Sequence, residues 1–488
     1  MAYDSVTARL DFKPGFHRES TRYAEEGSWY DGNRVRFREG RPENMRGYAK
    51  RVTTAFDGIA RDLLTWADND TTRHIIFGTE QKVYSYDGDN NVDVTPIVST
   101  TQLVSVMNYI SGSPTVSVTQ TNHNLNTGDF ITFISSTVTA GIGLKNQTVL
   151  VSVTGVNKYH FVNSTNATGT FTNIGSALVG YLLPTGNVNA IQGLGYGAGI
   201  YNAALTPTAG MRAWNEAAET SNITFPATNW SFDTWGEDVV MARRGGQIYY
   251  YDTDVSITPQ RAYLVTAAPS VNNVILVSPN DRHLISFGST EYLGVYNPLL
   301  VRWSDQENFN NWTPAITTTA GETVLTDGSQ IIGAVRSRNL IGVFTDNAVY
   351  GMQFVGPPFV FNFRQLGTAC GLVSQHGVVN VDGRMVWMGE NNFFIFDGQI
   401  RNLDCTVRRY IYDDINTSQQ SKIFAGVNSE FKEVVWVYPS SNSEEPNRYV
   451  MWNYGENTWV YGESLWTTYA DRTVYDNTIT TSNDSYLY

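Results

Sequence analysis

Gly383-Arg-Met-Val-Trp-Met-Gly-Glu-Asn-Asn-Phe-Phe-Ile-Phe-Asp-Gly398 places two apolar runs of strand-forming residues on either side of Gly389-Glu390-Asn391-Asn392. β-branched and aromatic side chains fit a pleated surface, and Gly and Asn tolerate the backbone of a tight reversal, so the stretch predicts a β-hairpin. The same grammar recurs at 74–87, 238–252, 282–296 and 338–354, and at 433–452 with a longer turn. From Asp238 onward the copies begin at 238, 282, 338, 383 and 433, giving steps of 44, 56, 45 and 50 residues. A period of this length with several strands per unit is the signature of a β-propeller, whose blades bury their faces only against neighbouring blades. A two-sheet sandwich is the competing arrangement, but its strands do not fall into repeats of this length. The expected fold is therefore all-β, a β-propeller body.

The body is interrupted. After Pro96 the composition changes, and residues 101–184 hold only three charged residues, Asp129, Lys145 and Lys158, among Thr, Ser, Val, Asn and Gly. Short strands are expected at Thr115–Val118, Phe130–Phe133 and Lys158–Val162, with a Gly-Asp turn closing His123-Asn-Leu-Asn-Thr-Gly-Asp129. This resembles the small β-barrel modules with an H-x-L-x-x-G-D signature that recur as insertions in phage structural proteins. The expected organisation is an arm and basic strand at 1–52, a first blade segment at 53–100, an inserted small β-barrel or sandwich domain at 101–186, a Gly/Tyr-rich linker with a short helix (Met211–Glu219) at 187–227, and the remaining blades at 228–488. Residues 483–488 read as the start of a further strand, which either continues beyond Tyr488 or is closed by another segment.

Charge narrows the function. A net charge of −13 argues against a surface that grips nucleic acid as a whole, because phosphate binding needs a positive field. One basic stretch stands out: Arg34-Val-Arg-Phe-Arg38 alternates, with Arg41, Arg46, Lys50 and Arg51 following. Period two sets Val35 and Phe37 on one face and Arg34, Arg36 and Arg38 on the other. Arg34, Arg36, Arg38, Arg41 and Arg46 are the candidate partner-interface residues. The row pairs either with acids of its own subunit or with a partner subunit or DNA phosphates.

Two cysteines, Cys370 and Cys405, provide no disulfide framework and fit assembly in a reducing cytoplasm. The N-terminus lacks the apolar core of a signal peptide, and no apolar run approaches the ~18 residues that span a bilayer, so no membrane insertion is expected.

The sequence carries none of the common catalytic motifs. There is no G-x-S-x-G, H-E-x-x-H or G-x-x-x-x-G-K-[ST]. Gly193-Leu-Gly-Tyr-Gly-Ala-Gly199 has the wrong spacing for a dinucleotide loop and reads as a linker. Asp87-Gly-Asp-Asn-Asn-Val-Asp93 resembles a calcium loop but lacks the glycine at position 6 and the acid at position 12, and reads as a turn. His123 has no second ligand at metal spacing and is expected to serve its turn. Trp303-Ser-Asp305 with Trp312 fails the S-x-D-x-G-x-x-W box of sialidase propellers. The acid pairs Asp413/Asp414 and Glu444/Glu445 are the carboxylates a glycosidase reading would use. No catalytic residue, metal or cofactor is expected.

Trp29-Tyr-Asp-Gly-Asn-Arg-Val-Arg-Phe-Arg-Glu-Gly40, the run at 193–199, Asn229–Asp252 and Trp303–Trp312 together resemble the tail nozzle proteins (tail tubular protein B type) of short-tailed bacteriophages, over the whole chain except the insertion. The resemblance implies a structural virion protein of the tail, not an enzyme. It implies a homohexameric ring of propeller subunits below a tail adaptor, holding tail fibres or spikes, assembled in the host cytoplasm, and retaining and then passing double-stranded DNA without sequence-specific contacts. The alternative is a carbohydrate-binding or glycoside-cleaving propeller.

Overall fold

In the computed structural model the described residues are 12–86, 88–138, 142–184, 186–190, 226–254, 261–471, 474–475 and 477–488. The expected helix at Met211–Glu219 and the glycine run at 193–199 lie outside them.

Six four-stranded antiparallel sheets follow one another in strict sequence order, at 62–93, 230–264, 272–324, 331–368, 378–403 and 424–463, here blades one to six. Every hairpin repeat read from the sequence is the second and third strand of a blade. The 383–398 stretch, for instance, forms Arg384–Met388 and Phe393–Phe396, with Met388 opposite Phe393 and Gly389 N–H donating to Asn392 O at 2.8 Å. The first strand of each blade packs on the first strand of the next. The ring is completed by a two-stranded sheet, Trp466–Ala470 with Ile479–Ser482, wedged between blade six and blade one.

That wedge is composite. Residues 486–488 turn back on Ile479–Ser482 through reciprocal bonds between Thr480 and Tyr488, and Arg51 and Phe56 then donate their N–H groups to Leu487 O and Ser485 O. Val52, Phe56, Ile479 and Leu487 share one core with Phe77 and Tyr84 of blade one. Residues 483–485, expected to start a strand, instead form the turn between Ile479–Ser482 and the bridge at Leu487, and the 51–56 segment lies against this turn.

Blade faces are covered on both sides, so their inner strands lose the alternation of half-exposed strands. Asn272–Val277, Leu284–Thr290 and Glu433–Tyr438 are buried at every position. Indole N–H groups tie neighbouring blades together: Trp66 donates to Glu237 O, Trp230 to Thr79 O, Trp387 to Cys370 O and Trp436 to Gly377 O, at 2.7 to 3.1 Å. Each ring contributes a large apolar face while its one polar atom remains satisfied.

The insertion sits between blades one and two. It starts at Ile97 rather than 101, because Ile97–Tyr109 is a single strand paired along its length with Phe171–Leu182. Its seven-stranded sheet has Thr148–Leu150 at one edge and Ser152–Gly155 at the other, joined only by Val151, so the sheet curls almost closed around Met107, Val116, Ile131, Phe133, Tyr159 and Phe161. This is the expected small barrel. It meets the body through Arg261, which holds Asp93 (3.0 and 3.2 Å), Thr95 O (3.0 Å) and Thr148 Oγ1 (3.0 Å).

Candidate functional site: the propeller axis and the arginine hairpin

The axis of a propeller is where convergent side chains usually meet a ligand. Here they meet one another. Because the first strands run alike around the axis, the residues just before them collect at one mouth, and several reach across it. Gln375, ahead of blade five, donates to Trp230 O (2.9 Å) and Ser231 Oγ (2.8 Å) of blade two. Arg244 of blade two donates to Ile332 O (3.0 Å) of blade four and to Gln375 Oε1 (3.3 Å). Asn229, ahead of blade two, donates to Ser421 O (2.9 Å), ahead of blade six. Bonds between blades that are not neighbours in the ring must cross its centre. A second level is crossed where Arg336 of blade four bonds Val277 O of blade three and the carboxylate of Asp233 in blade two.

At the same mouth a buried charge cluster joins blade one to blade six. Arg61 Nη2 lies 2.7 Å from Glu445 Oε1, and Lys422 Nζ reaches the same oxygen at 2.7 Å, Asn189 Oδ1 at 2.6 Å and Glu444 O at 2.6 Å. Burial, with repulsion from Arg61, pulls the Lys422 ammonium down to about 8 against the attraction of Glu445. Burial alone would raise the Glu445 carboxyl, but its bonds to Arg61 and Lys422 hold it below the ordinary carboxylate range. Burial likewise lowers the Arg244 guanidinium to about 10. Each of these groups makes at least one cross-link, with Arg61 Nε and Nη1 and Glu445 Oε2 left buried without a hydrogen-bond partner among the described residues, and the cross-links stand in the path a duplex would take through this axis.

The sequence-derived candidates fall into place individually. His123 accepts the Leu125 N–H at Nδ1 (3.0 Å), and its Nε2 bonds Gly155 O (3.0 Å), while Asp129 accepts the Asn126 N–H (2.7 Å). The H-x-L-x-x-G-D signature is thus a hydrogen-bonded turn, with Gly128 at φ +105. Asp93 of the calcium-like run is held by Arg261, and Asp87 lies outside the described residues. Asp305 closes the 304–320 loop by accepting from Thr319 N and Oγ1 (2.8 and 2.7 Å), and Trp312 is buried beneath it. Asp414 pairs with Arg448 at 3.1 Å, and Asp413 lies 3.8 Å from Arg409.

One triad-like chain escaped sequence reading: Asp281 to His283 (2.6 Å) to Thr319 Oγ1 (3.2 Å). His283 is wholly buried and Thr319 donates its proton to Asp305, so this chain acts as a structural tie. Burial pushes the thiol of Cys370 up to about 11 and raises that of Cys405 as well, which keeps both protonated. Among the described residues no three His, Cys, Asp or Glu side chains converge, and no helix is long and apolar enough to cross a membrane.

The arginine row divides. The arm packs Phe16 and Phe37 onto the outer strand of blade six, Thr458–Glu463. Arg36 turns inward, 3.0 Å from Glu433 and with its guanidinium 3.5 Å from the Phe431 ring centroid. Both ends of that pair are buried. Burial raises the Glu433 carboxyl to about 7, with Arg36 opposing. Arg34, Arg38, Arg41 and Arg46 stay exposed, and none has an ion-pair partner among the described residues.

Val35–Arg38 and Arg41–Asn44 form a hairpin around Glu39 (φ +51) and Gly40 (φ +73), the two positive-φ positions of a type I′ turn. The carboxylate of Glu456 accepts both turn N–H groups (2.5 and 3.2 Å), fixing the tip. Sequence reading missed Glu433 and Glu456; a lone Glu heading the apolar run Glu433–Tyr438 was the available signal for the first.

No family model matches the sequence, and no curated protein does. Solved structures that align with it include an endosialidase of phage phi92 (11% identity, TM-score 0.22, covering 82% of this chain and 55% of that one). They also include two mutant forms of the apocarotenoid oxygenase of Synechocystis, each at 8% identity and TM-score 0.31, covering 80% and 78% of this chain and 89% and 86% of theirs. The chain spans about half the length of the endosialidase.

Proposed function

We propose that this chain is a structural subunit of a phage tail nozzle, in which copies form a ring below the tail adaptor, hold fibres or spikes, and pass the genome between them. The observation that carries this reading is the crossed axis. A propeller cross-linked through its own centre at two levels is a rigid block, so a conduit built from it has to run between copies. The acidic surface of the chain suits a lumen that repels phosphate and lets DNA slide. The small barrel at 97–182 stands on the rim between blades one and two, a position open to a fibre or spike.

Co-purification with the adaptor of the same virion, imaged by negative stain, is expected to give closed rings of six. Replacing 97–182 by a short linker is expected to preserve the ring and abolish fibre attachment. A glycan-binding reading draws on exposed Tyr23, Tyr292 and Tyr296, which offer faces for sugar stacking. Specific binding on a glycan array, or release of reducing sugar by the isolated chain, would displace the nozzle reading.

A further inference from the structure

We infer that the tip of the 35–44 hairpin is the basic half of a head-to-tail contact between two copies of this chain, its arginines meeting carboxylates on the next copy. The inference rests on the ring reading above and specifies which surface makes the ring. Arg38 and Arg41 are directly opposed in the hairpin register, a juxtaposition of like charges that weakens a strand pair. Glu39 holds a positive φ that costs a non-glycine residue. A hairpin that breaks two local rules is retained only if its surroundings over-determine it, and here they do: Arg36–Glu433 anchors its base and Glu456 clamps its turn. The result is a rigid tip whose Arg38 and Arg41 guanidinium groups stand in solvent and make no ion pair among the described residues, with the Glu456 carboxylate taken up by the turn N–H groups.

The occupant follows from charge. A guanidinium fork matches a carboxylate in plane and charge. The chain itself, at net −13, supplies such a surface at its own concentration. The proposed ring already brings a second copy within reach of the tip, which favours its carboxylates over phosphates. Symmetry follows as well. A two-fold contact pairs the tip with a different patch of its partner and stops at two copies, so it does not build the proposed ring. What remains is a heterologous contact, the kind that closes into rings.

The test compares the full-length chain with Arg38→Glu/Arg41→Glu and with Arg38→Lys/Arg41→Lys, following assembly by mass photometry over a salt series and with labelled duplex DNA as a second probe. Charge reversal is expected to raise the protein concentration for half-assembly about tenfold or more, with the thermal midpoint unchanged. The lysine pair is expected to fall in between, and salt to weaken assembly of the native chain, because exposed charges are screened. Rings of unchanged strength in the reversed variant would overturn the inference while leaving the ring reading intact. Loss of DNA binding with assembly retained would also overturn it, in favour of a phosphate surface. Absence of assembly in every form, with or without adaptor, would remove both.

Discussion

Arginine is used in two opposite ways in this molecule. In the axis, Arg61, Arg244 and Arg336 are drawn inward, and their donors go to carbonyls and carboxylates of other blades. On the rim of blade six, Arg34, Arg38, Arg41 and Arg46 keep their guanidinium groups in water, on a hairpin fastened from beneath. Arg36 marks the border, since it lies in the same strand as Arg38 yet is buried against Glu433. The difference teaches that the net charge of a residue row says little by itself. What matters is whether the fold has already provided each cation with an acceptor. Each axial arginine has an acceptor in another blade, whereas the exposed rim arginines have no ion-pair partner among the described residues.

The comparison can be broken at several places. Arg36→Ala leaves a buried carboxylate unpaired and is expected to cost about 3–5 kcal/mol in urea unfolding at pH 8. The loss should shrink at pH 5, where the lone Glu433 takes up a proton. Gln375→Ala removes the bond to Ser231 Oγ and one of the two bonds to Trp230 O, which keeps its contact with His376 Nε2, and is expected to cost about 1–3 kcal/mol. A value near zero would mean that the axial bonds contribute nothing to rigidity.

pH separates the two regions by sign. Glu433 binds its proton more tightly in the native state, so its contribution to stability is full below about 4.5 and is lost as pH rises through about 7. Glu445 is shifted the other way, so its contribution is present above the ordinary carboxylate range and is lost as pH falls through its lowered value. Stability measured from pH 3 to pH 8 should therefore lose its neutral slope in Glu433→Gln and its acid limb in Glu445→Gln. Identical profiles in both variants would contradict the assignment. The smallest expected effect is that of Arg38→Glu/Arg41→Glu on the stability of the single chain, within about 0.5 kcal/mol. A larger loss would mean that the exposed arginines serve the fold after all.

The blades were legible because their middle hairpins concentrate strand-forming residues around Gly, Asn and Asp turns, and because a blade buries both faces of its inner strands. The barrel was legible as a loss of charge, though its first strand extends back to Ile97, where a Thr/Ser-rich run hides the boundary. The axis was not legible. Its cross-links come from single polar residues standing just ahead of each first strand, such as Asn229, Gln375 and Lys422, and nothing local distinguishes them from ordinary loop residues. The composite wedge was equally hidden, because Arg51 and Phe56 meet residues near Tyr488 only once the ring has closed. In the arginine row, alternation suggested that one face would act together; a buried acid from blade six, distant in sequence, set Arg36 apart.

The proposed ring places the DNA passage between copies and not through a propeller. Electron-microscopic averages of the chain assembled with its adaptor should show a central hole bounded by several copies, with each propeller dense through its own axis. Isolated copies, or duplex density running through a single propeller, would contradict it.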